Sequence, residues 1–358
     1  MPVINSCNLT NANISFARNC SPAINVTVPA IISTWYFPAV SRVILCILQL
    51  TLNIAMLSAF IIRKDLRTSF TVYIIFLLSS NVFYALCEHP LEIIRISYSA
   101  WWLPSGACSL YLYLLWVSCA VPMHTHVLIT INRIWAIAFP HSYRQHHSSK
   151  VACLMCLGNV VYVHVVCLPL VMLDQLRYAV NAEKYGCSLN FDVSQVNDYA
   201  STVQFIVYDG PIVFVVLAYP FLYYKQTQRR KIGSSWSSGR PSVSHRREST
   251  NPGDDEELGE VGQKKTQITK TITTGKEASR PFVVLTLLTI SVFICWTPVM
   301  TFWTITCFVS LDSDMTVFRN FAVVLFALQP VLDPILFAVS LQSFRTIVVR
   351  GLSKLTKC

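Results

Sequence analysis

Seven stretches in which apolar side chains dominate, at about 38–62, 70–96, 108–138, 150–173, 203–225, 281–306 and 316–339, are separated by polar connections. A helix needs ~20 apolar residues to cross the ~30 Å hydrocarbon of a bilayer, so each stretch is long enough to span it. None alternates lipid-facing and lumen-facing residues over ten positions as a barrel strand would. The pattern predicts an all-α membrane protein, a seven-helix transmembrane bundle. Two connections are long. Between about 226 and 279 the chain turns to Ser, Gly, Thr and charge with few aliphatic residues, and is expected to be a disordered loop because it has little to bury. Residues 174–200, with Asp174, Glu183, Cys187, Asp192 and Asp198, form a connection long enough to fold over one mouth of the bundle. At the end of the chain Leu341, Phe344, Ile347, Val348 and Leu352 recur at helical spacing, with Arg345, Arg350 and Lys354 opposite them. That is the pattern of an amphipathic helix lying in the membrane interface.

Composition agrees with the pattern: 53% of the 358 residues are hydrophobic and 13% charged, too apolar a balance for an ordinary soluble domain. Charge then sets the orientation. With the amino terminus outside, about 22 basic residues fall on the cytoplasmic side and about 6 on the outer side, among them Arg18, Arg95, Arg177, Lys184 and Arg319. The net charge of +10 is therefore an orientation signal and an attraction to anionic lipid, and needs no nucleic acid. No basic segment followed by an apolar core opens the chain, so the first span is expected to act as the targeting signal. Asn8, Asn13 and Asn25 each head a glycosylation sequon in the tail placed outside. Cys7, Cys20, Cys108, Cys187 and Cys307 fall on the outer side, where disulfides persist. Cys358 lies near the inner surface and is a candidate for acylation. The expected organisation is a glycosylated tail at 1–37, five spans and their loops at 38–225, a disordered cytoplasmic loop at 226–279, two spans at 280–340 and the amphipathic end at 341–358.

Prolines within the spans carry information because each removes a backbone donor and frees a carbonyl. Pro90, Pro169, Pro211, Pro298 and Pro334 fall one each in spans two, four, five, six and seven, and kinks in several helices of one bundle open a cavity and provide hinges. Arg133, in "TINRIWAIAFP", is a charge at the end of an apolar run, and intramembrane charges mark functional sites by default.

These residues, taken in order, resemble the rhodopsin-like, class A G-protein-coupled receptors over nearly every span. Asn53 stands where that family keeps its first-helix Asn. Arg133 matches the Arg of the Asp-Arg-Tyr triplet, and Pro140 the Pro of the second inner loop. Pro211 with Tyr219 matches the fifth-helix pair, "CWTP" with Trp296 and Pro298 the sixth-helix motif, and "DPILF" with Asp333, Pro334 and Phe337 the seventh-helix Asn-Pro-x-x-Tyr. Phe344 then falls in the following amphipathic helix. The resemblance implies a disulfide from Cys108 to Cys187, a polar core of Asn53, Asn81 and Asp333, and a pivot at Trp296. It further implies an extracellular ligand, heterotrimeric G proteins and arrestin as partners, and an Arg133 that changes partners as helix six swings outward. No cofactor, metal or catalytic residue is implied.

Departures from the family pattern matter too. Asn132 replaces the acid that usually pairs with the Arg, so raised ligand-free signalling is expected. Asn81 and Asp333 hold an amide and a carboxylate with places exchanged, and a contact between them is expected to survive. Pro122 stands where a sodium-site hydroxyl is common, which argues against sodium regulation. Phe337 lacks a hydroxyl, and span four lacks the family's Trp. Leu115 replaces the acid that amine receptors use, and the last span has no Lys for retinal. Glu88, His89 and Glu92, with Met300, Trp303 and Arg319 nearer the mouth, are the expected pocket and favour a peptide with basic groups. Two other classes compete. His124, His126 and His164 suggest an intramembrane metal hydrolase, but two of them are two residues apart and point to different sides of one helix. Asn132 and Phe337 suggest a binding receptor that does not signal.

Overall fold

The computed structural model describes residues 37–98, 100–238, 280–309 and 315–340. The sequons, Cys7, Cys20, the loop segment 239–279, the amphipathic segment 341–358 with Phe344, and Cys358 lie outside the described residues. The seven apolar stretches form helices α1 (Phe37–Ile62), α2 (Thr71–Ser97), α3 (Ser105–Ala138), α4 (Ser149–Tyr178), α5 (Ser194–Gln228), α6 (Arg280–Thr306) and α7 (Thr316–Ser340). Helices are the expected solution because hydrocarbon offers no water to backbone N–H and C=O groups, and a helix satisfies them internally. The helix of α5 continues to Ser238, past the expected end near 225. Its extension is rich in Lys, Arg and Gln, good helix formers that need no hydrocarbon around them.

Helices α1, α2, α4, α5, α6 and α7 surround α3, which packs against α2, α4, α5 and α6, while α7 closes the ring onto α1. Two thirds of the apolar window of α3 is buried (67%), against 28% in α1 and in α4, so α3 is the axis of the bundle. The outward stripes are apolar at helical spacing, as Leu154, Leu157, Val161 and Val165 of α4 show. A charged chain there would face lipid at a cost of several kcal/mol, about 2.5–3.5 on insertion scales.

One end of the bundle carries Cys108 and the other Arg133. At the disulfide end Gly186 takes φ +81°, a left-handed turn that only glycine adopts freely, and delivers Cys187 to Cys108 with Cα atoms 5.6 Å apart. The buried Asp174 fixes the same loop, accepting from Asn190 N–H at 2.8 Å and from Gln175 Nε2 at 2.7 Å. At the arginine end a short helix, Pro140–His146, follows α3, with Pro140 in its first turn where no donor is needed. Ser148 then caps α4 by accepting from Val151 N–H.

Several proline carbonyls are taken by neighbouring helices. Pro334 cannot donate to Pro330 O, and Asn53 Nδ2 of α1 does so instead at 2.9 Å. Pro211 likewise leaves Val207 O to His124 of α3 at 3.0 Å. Beside it Tyr208 OH of α5 reaches Trp116 O of α3 at 2.8 Å. These crossings fall where α3 and α5 widen into π turns, Leu114–Ser118 and Gln204–Asp209. Pro122, Pro220 and Pro330 add three more prolines to the helical segments.

Candidate functional site

The polar core lies midway along the bundle and is built on Asp333 of α7, 1% exposed. Asp333 Oδ1 accepts from Gln329 Nε2 at 2.8 Å, and Oδ2 accepts from Asn81 Nδ2 at 3.1 Å and faces His126 Nε2 at 3.3 Å. Asn81 Nδ2 also lies 3.3 Å from Asn53 Oδ1. Asn81, singled out from the sequence with Asn53 and Asp333, thus bridges the other two, and the exchange of amide and carboxylate between α2 and α7 leaves a bond across the bundle. A buried carboxylate needs this many donors because its desolvation costs several kcal/mol, roughly, unless it is bonded.

Sequence reasoning missed the other members. Gln329 Nε2 reaches Ser291 Oγ of α6 at 3.1 Å. His126 stands edge-on to Trp296 with ring centres 5.1 Å apart, and Trp296 leans on Phe326 of α7. A cavity of about 20 Å³ lies among these groups, with Asn81, Pro122, His126, Trp296 and Asp333 on its walls. Imidazole and proline occupy the space beside the carboxylate, an arrangement that does not favour a coordinated sodium ion. Gln49 continues the polar thread toward the disulfide end: its Nε2 donates to Asn81 O at 2.8 Å and its Oε1 accepts from His89 Nε2 at 3.0 Å. His89 Nδ1 is 2.6 Å from Glu88 Oε2.

The acids expected in a ligand pocket are turned into the bundle and taken by neighbouring side chains. Glu88 and Glu92 are buried. Glu92 is gripped by Arg95 through two bonds, at 2.6 and 2.7 Å, and by Tyr111 OH at 2.6 Å, with Arg42 of α1 at 3.9 Å. Burial removes water, and an acid on α2 is stabilised there only by such partners. Arg42 lies within an apolar span, and that position was the available signal. A further acid, the half-buried Asp209 of α5, accepts from Thr304 of α6 at 2.7 Å and from Gln204 at 3.2 Å. Gln204 also approaches the sulfur of the buried Met300 at 3.5 Å. Leu115 is half-buried, Trp303 is 43% exposed and Arg319 is exposed at the start of α7. Asp209 was legible as a carboxylate inside the fifth apolar stretch, where acids are rare.

At the other end Arg133 lies over the ring of Phe70, 3.4 Å from its centre. No carboxylate among the described residues is within ion-pair distance, and its Nε has no acceptor. The neighbouring Asn132 is buried and turned the other way: Nδ2 donates to His147 Nε2 at 2.8 Å and Oδ1 accepts from Tyr143 OH at 3.4 Å. His147 is stacked on Tyr143 with ring centres 4.4 Å apart, lies parallel to Tyr73 at 6.0 Å and meets the edge of Trp135 at 5.8 Å. Burial in this box, and then the charge of Arg133, hold the His147 imidazole below its ordinary pKa. Burial also raises the Tyr143 phenol, which Asn132 and Arg133 partly offset. Tyr219 stacks on Tyr223. Phe337 is wholly buried among apolar residues that include Phe60, Leu77 and Ile129, so its missing hydroxyl leaves a dry contact.

The three histidines of the hydrolase reading have separate partners. His124 bonds Val207 O, His126 faces Asp333, and His164 bonds Tyr113 OH at 2.9 Å and Val160 O at 2.8 Å. Among the described residues no three His, Cys, Asp or Glu side chains are grouped to hold a metal.

Seven apolar helices around a polar core, with a disulfide-pinned loop at one end and a charge at the other, define a multi-pass membrane receptor. The family model of the 7 transmembrane receptor (rhodopsin family) matches residues 52–337, and the chain belongs to that family. It is thereby a G-protein-coupled receptor by class. Comparison with curated proteins finds no match.

Proposed function

We propose that the protein sits in the plasma membrane with its amino terminus outside, binds an extracellular peptide at the disulfide end and activates heterotrimeric G proteins at the arginine end. The charge asymmetry of the loops supports this orientation, and Asn8, Asn13 and Asn25 would then be open to glycosylation. A basic peptide is favoured by Asp209 and by Glu183, Asp192 and Asp198 near the mouth, now in place of Glu88 and Glu92. Arrestin is a further expected partner, and Cys358 a site for acylation.

The observation that carries the signalling reading is Arg133, held by an aromatic face with no counter-charge among the described residues. A charge held this way can change partners at small cost, since a cation over a ring is worth about 0.5–2 kcal/mol. Pro298 of α6 leaves Ile294 O without its helical donor and supplies a hinge. Outward movement of α6 beyond that hinge would stretch Ser291 from Gln329 while Thr304 keeps Asp209. A ligand favours the moved state only by its difference in affinity for the two states.

A screen of basic peptides against receptor reconstituted with a panel of heterotrimeric G proteins tests the reading through nucleotide exchange. Stimulation by a peptide, weakened by Asp209→Asn, is the expected result. Binding without exchange on any G protein would favour the second reading, a non-signalling binding receptor, for which Asn132 and Phe337 are the supporting departures.

A further inference from the structure

A lateral crevice of about 240 Å³ lies between α3 and α4, away from the core and both mouths, lined by His124 and Val127 on one side and Met155, Gly158, Asn159 and Tyr162 on the other. Tyr162 on the crevice wall is 40% exposed, and the outward stripe of α4 is apolar, so the crevice opens toward lipid. Asn159 stands ten residues from Ser149 in α4, about 15 Å at ~1.5 Å per residue. That is near the middle of ~30 Å of hydrocarbon.

Two polar groups of the crevice, on His124 and Asn159, offer acceptors. His124 Nε2 bonds Val207 O, and a carbonyl only accepts, so the proton is on Nε2 and Nδ1 is a bare acceptor. Thr125 gives its hydroxyl hydrogen to Val121 O at 2.7 Å, so its oxygen must accept; Asn159 Nδ2 donates to it and to Val121 O, both at 3.1 Å. This fixes the amide and leaves Asn159 Oδ1, on a side chain 6% exposed, with no donor. Gly158 keeps the floor open: a Cβ there would meet nothing within 4 Å.

Two acceptors, with the Tyr162 hydroxyl the one further polar group on the wall, in otherwise apolar surroundings at mid-membrane suit an apolar molecule with one hydroxyl. A phospholipid or sterol anchored by its polar end at the interface is about 15 Å too far away. We propose that this crevice is a binding site for a small alcohol or phenol dissolved in the bilayer, its hydroxyl donating to the acceptors of His124 and Asn159 and its apolar body lying over Gly158. Its occupant would touch the histidine that also holds the freed carbonyl of α5.

Photolabelling of the full-length receptor in lipid nanodiscs tests this with three probes: a diazirine-bearing dialkylphenol, its methyl ether, and a diazirine-bearing cholesterol. The phenol is expected to label the segment 155–162, to be competed by unlabelled dialkylphenol, and to lose at least fivefold in Gly158→Leu. The methyl ether, which cannot donate, should label wild type at least threefold less, a comparison that needs no variant. Labelling spread evenly over the lipid-facing helices, equal labelling by the ether, or equal labelling by the sterol at this segment would each overturn the proposal.

Discussion

Asp333 and Arg133 are held in opposite ways, although each is a charge in an apolar bundle. Asp333 is closed in by Gln329, Asn81 and His126 from three helices, whereas Arg133 rests on Phe70 with no carboxylate among the described residues. The first arrangement ties helices together, since moving any of them leaves a buried charge less well bonded. The second leaves a charge free to find a new partner. The middle of the bundle is therefore built to hold and the arginine end to respond.

The largest effect that would break this contrast is on stability. Asp333→Ala strands three donors and is expected to lower unfolding stability by about 3–5 kcal/mol, while Asp333→Asn, which keeps an acceptor, costs less. Thermal unfolding of purified protein reads both. Arg133→Ala should cost no more than about 2 kcal/mol in the same assay, the worth of a desolvated cation over a ring, yet abolish nucleotide exchange. Equal destabilisation by Asp333→Ala and Arg133→Ala would end the comparison.

Smaller changes sharpen it. Asn132→Asp supplies Arg133 with the missing counter-charge, and about 1 kcal/mol of added restraint corresponds to a roughly fivefold fall in ligand-free exchange. No fall would mean that Asn132 does not set the basal level. The smallest effect is with pH. His147 accepts from Asn132 only while neutral, and its pKa in the folded protein lies below the ordinary value of about 6.5. Its contribution is therefore complete above that value and is lost as pH falls through the lower folded value. Hydrogen exchange of the segment 139–148 should quicken on acidification, and His147→Phe should remove that dependence.

The contacts show why some of this was legible beforehand. Polar residues in apolar stretches are conspicuous, so Asn53, Asn81 and Asp333 could be picked out and their contact expected. His126, Gln329 and Ser291 belong to the same core, but a lone polar residue in a span is as readily a packing residue, and only the approach of α3 and α6 to α7 gives each a role. Glu88 and Glu92 were legible as acids and not in direction: nothing along the chain says that Arg42, fifty residues from Glu92, would close on it.

The order of apolar and polar residues alone determined seven helices and the spans that carry unusual charges, because hydrocarbon length and backbone bonding leave a segment few choices, and the motifs within those spans carried the family resemblance. The tertiary structure alone decided which charges are matched, that α2 turns its acids inward, that prolines of α5 and α7 hand their carbonyls to α3 and α1, and that a crevice opens at Gly158. Pairing and empty space arise between segments far apart in sequence, where side-chain volume and geometry, and not local pattern, set the outcome.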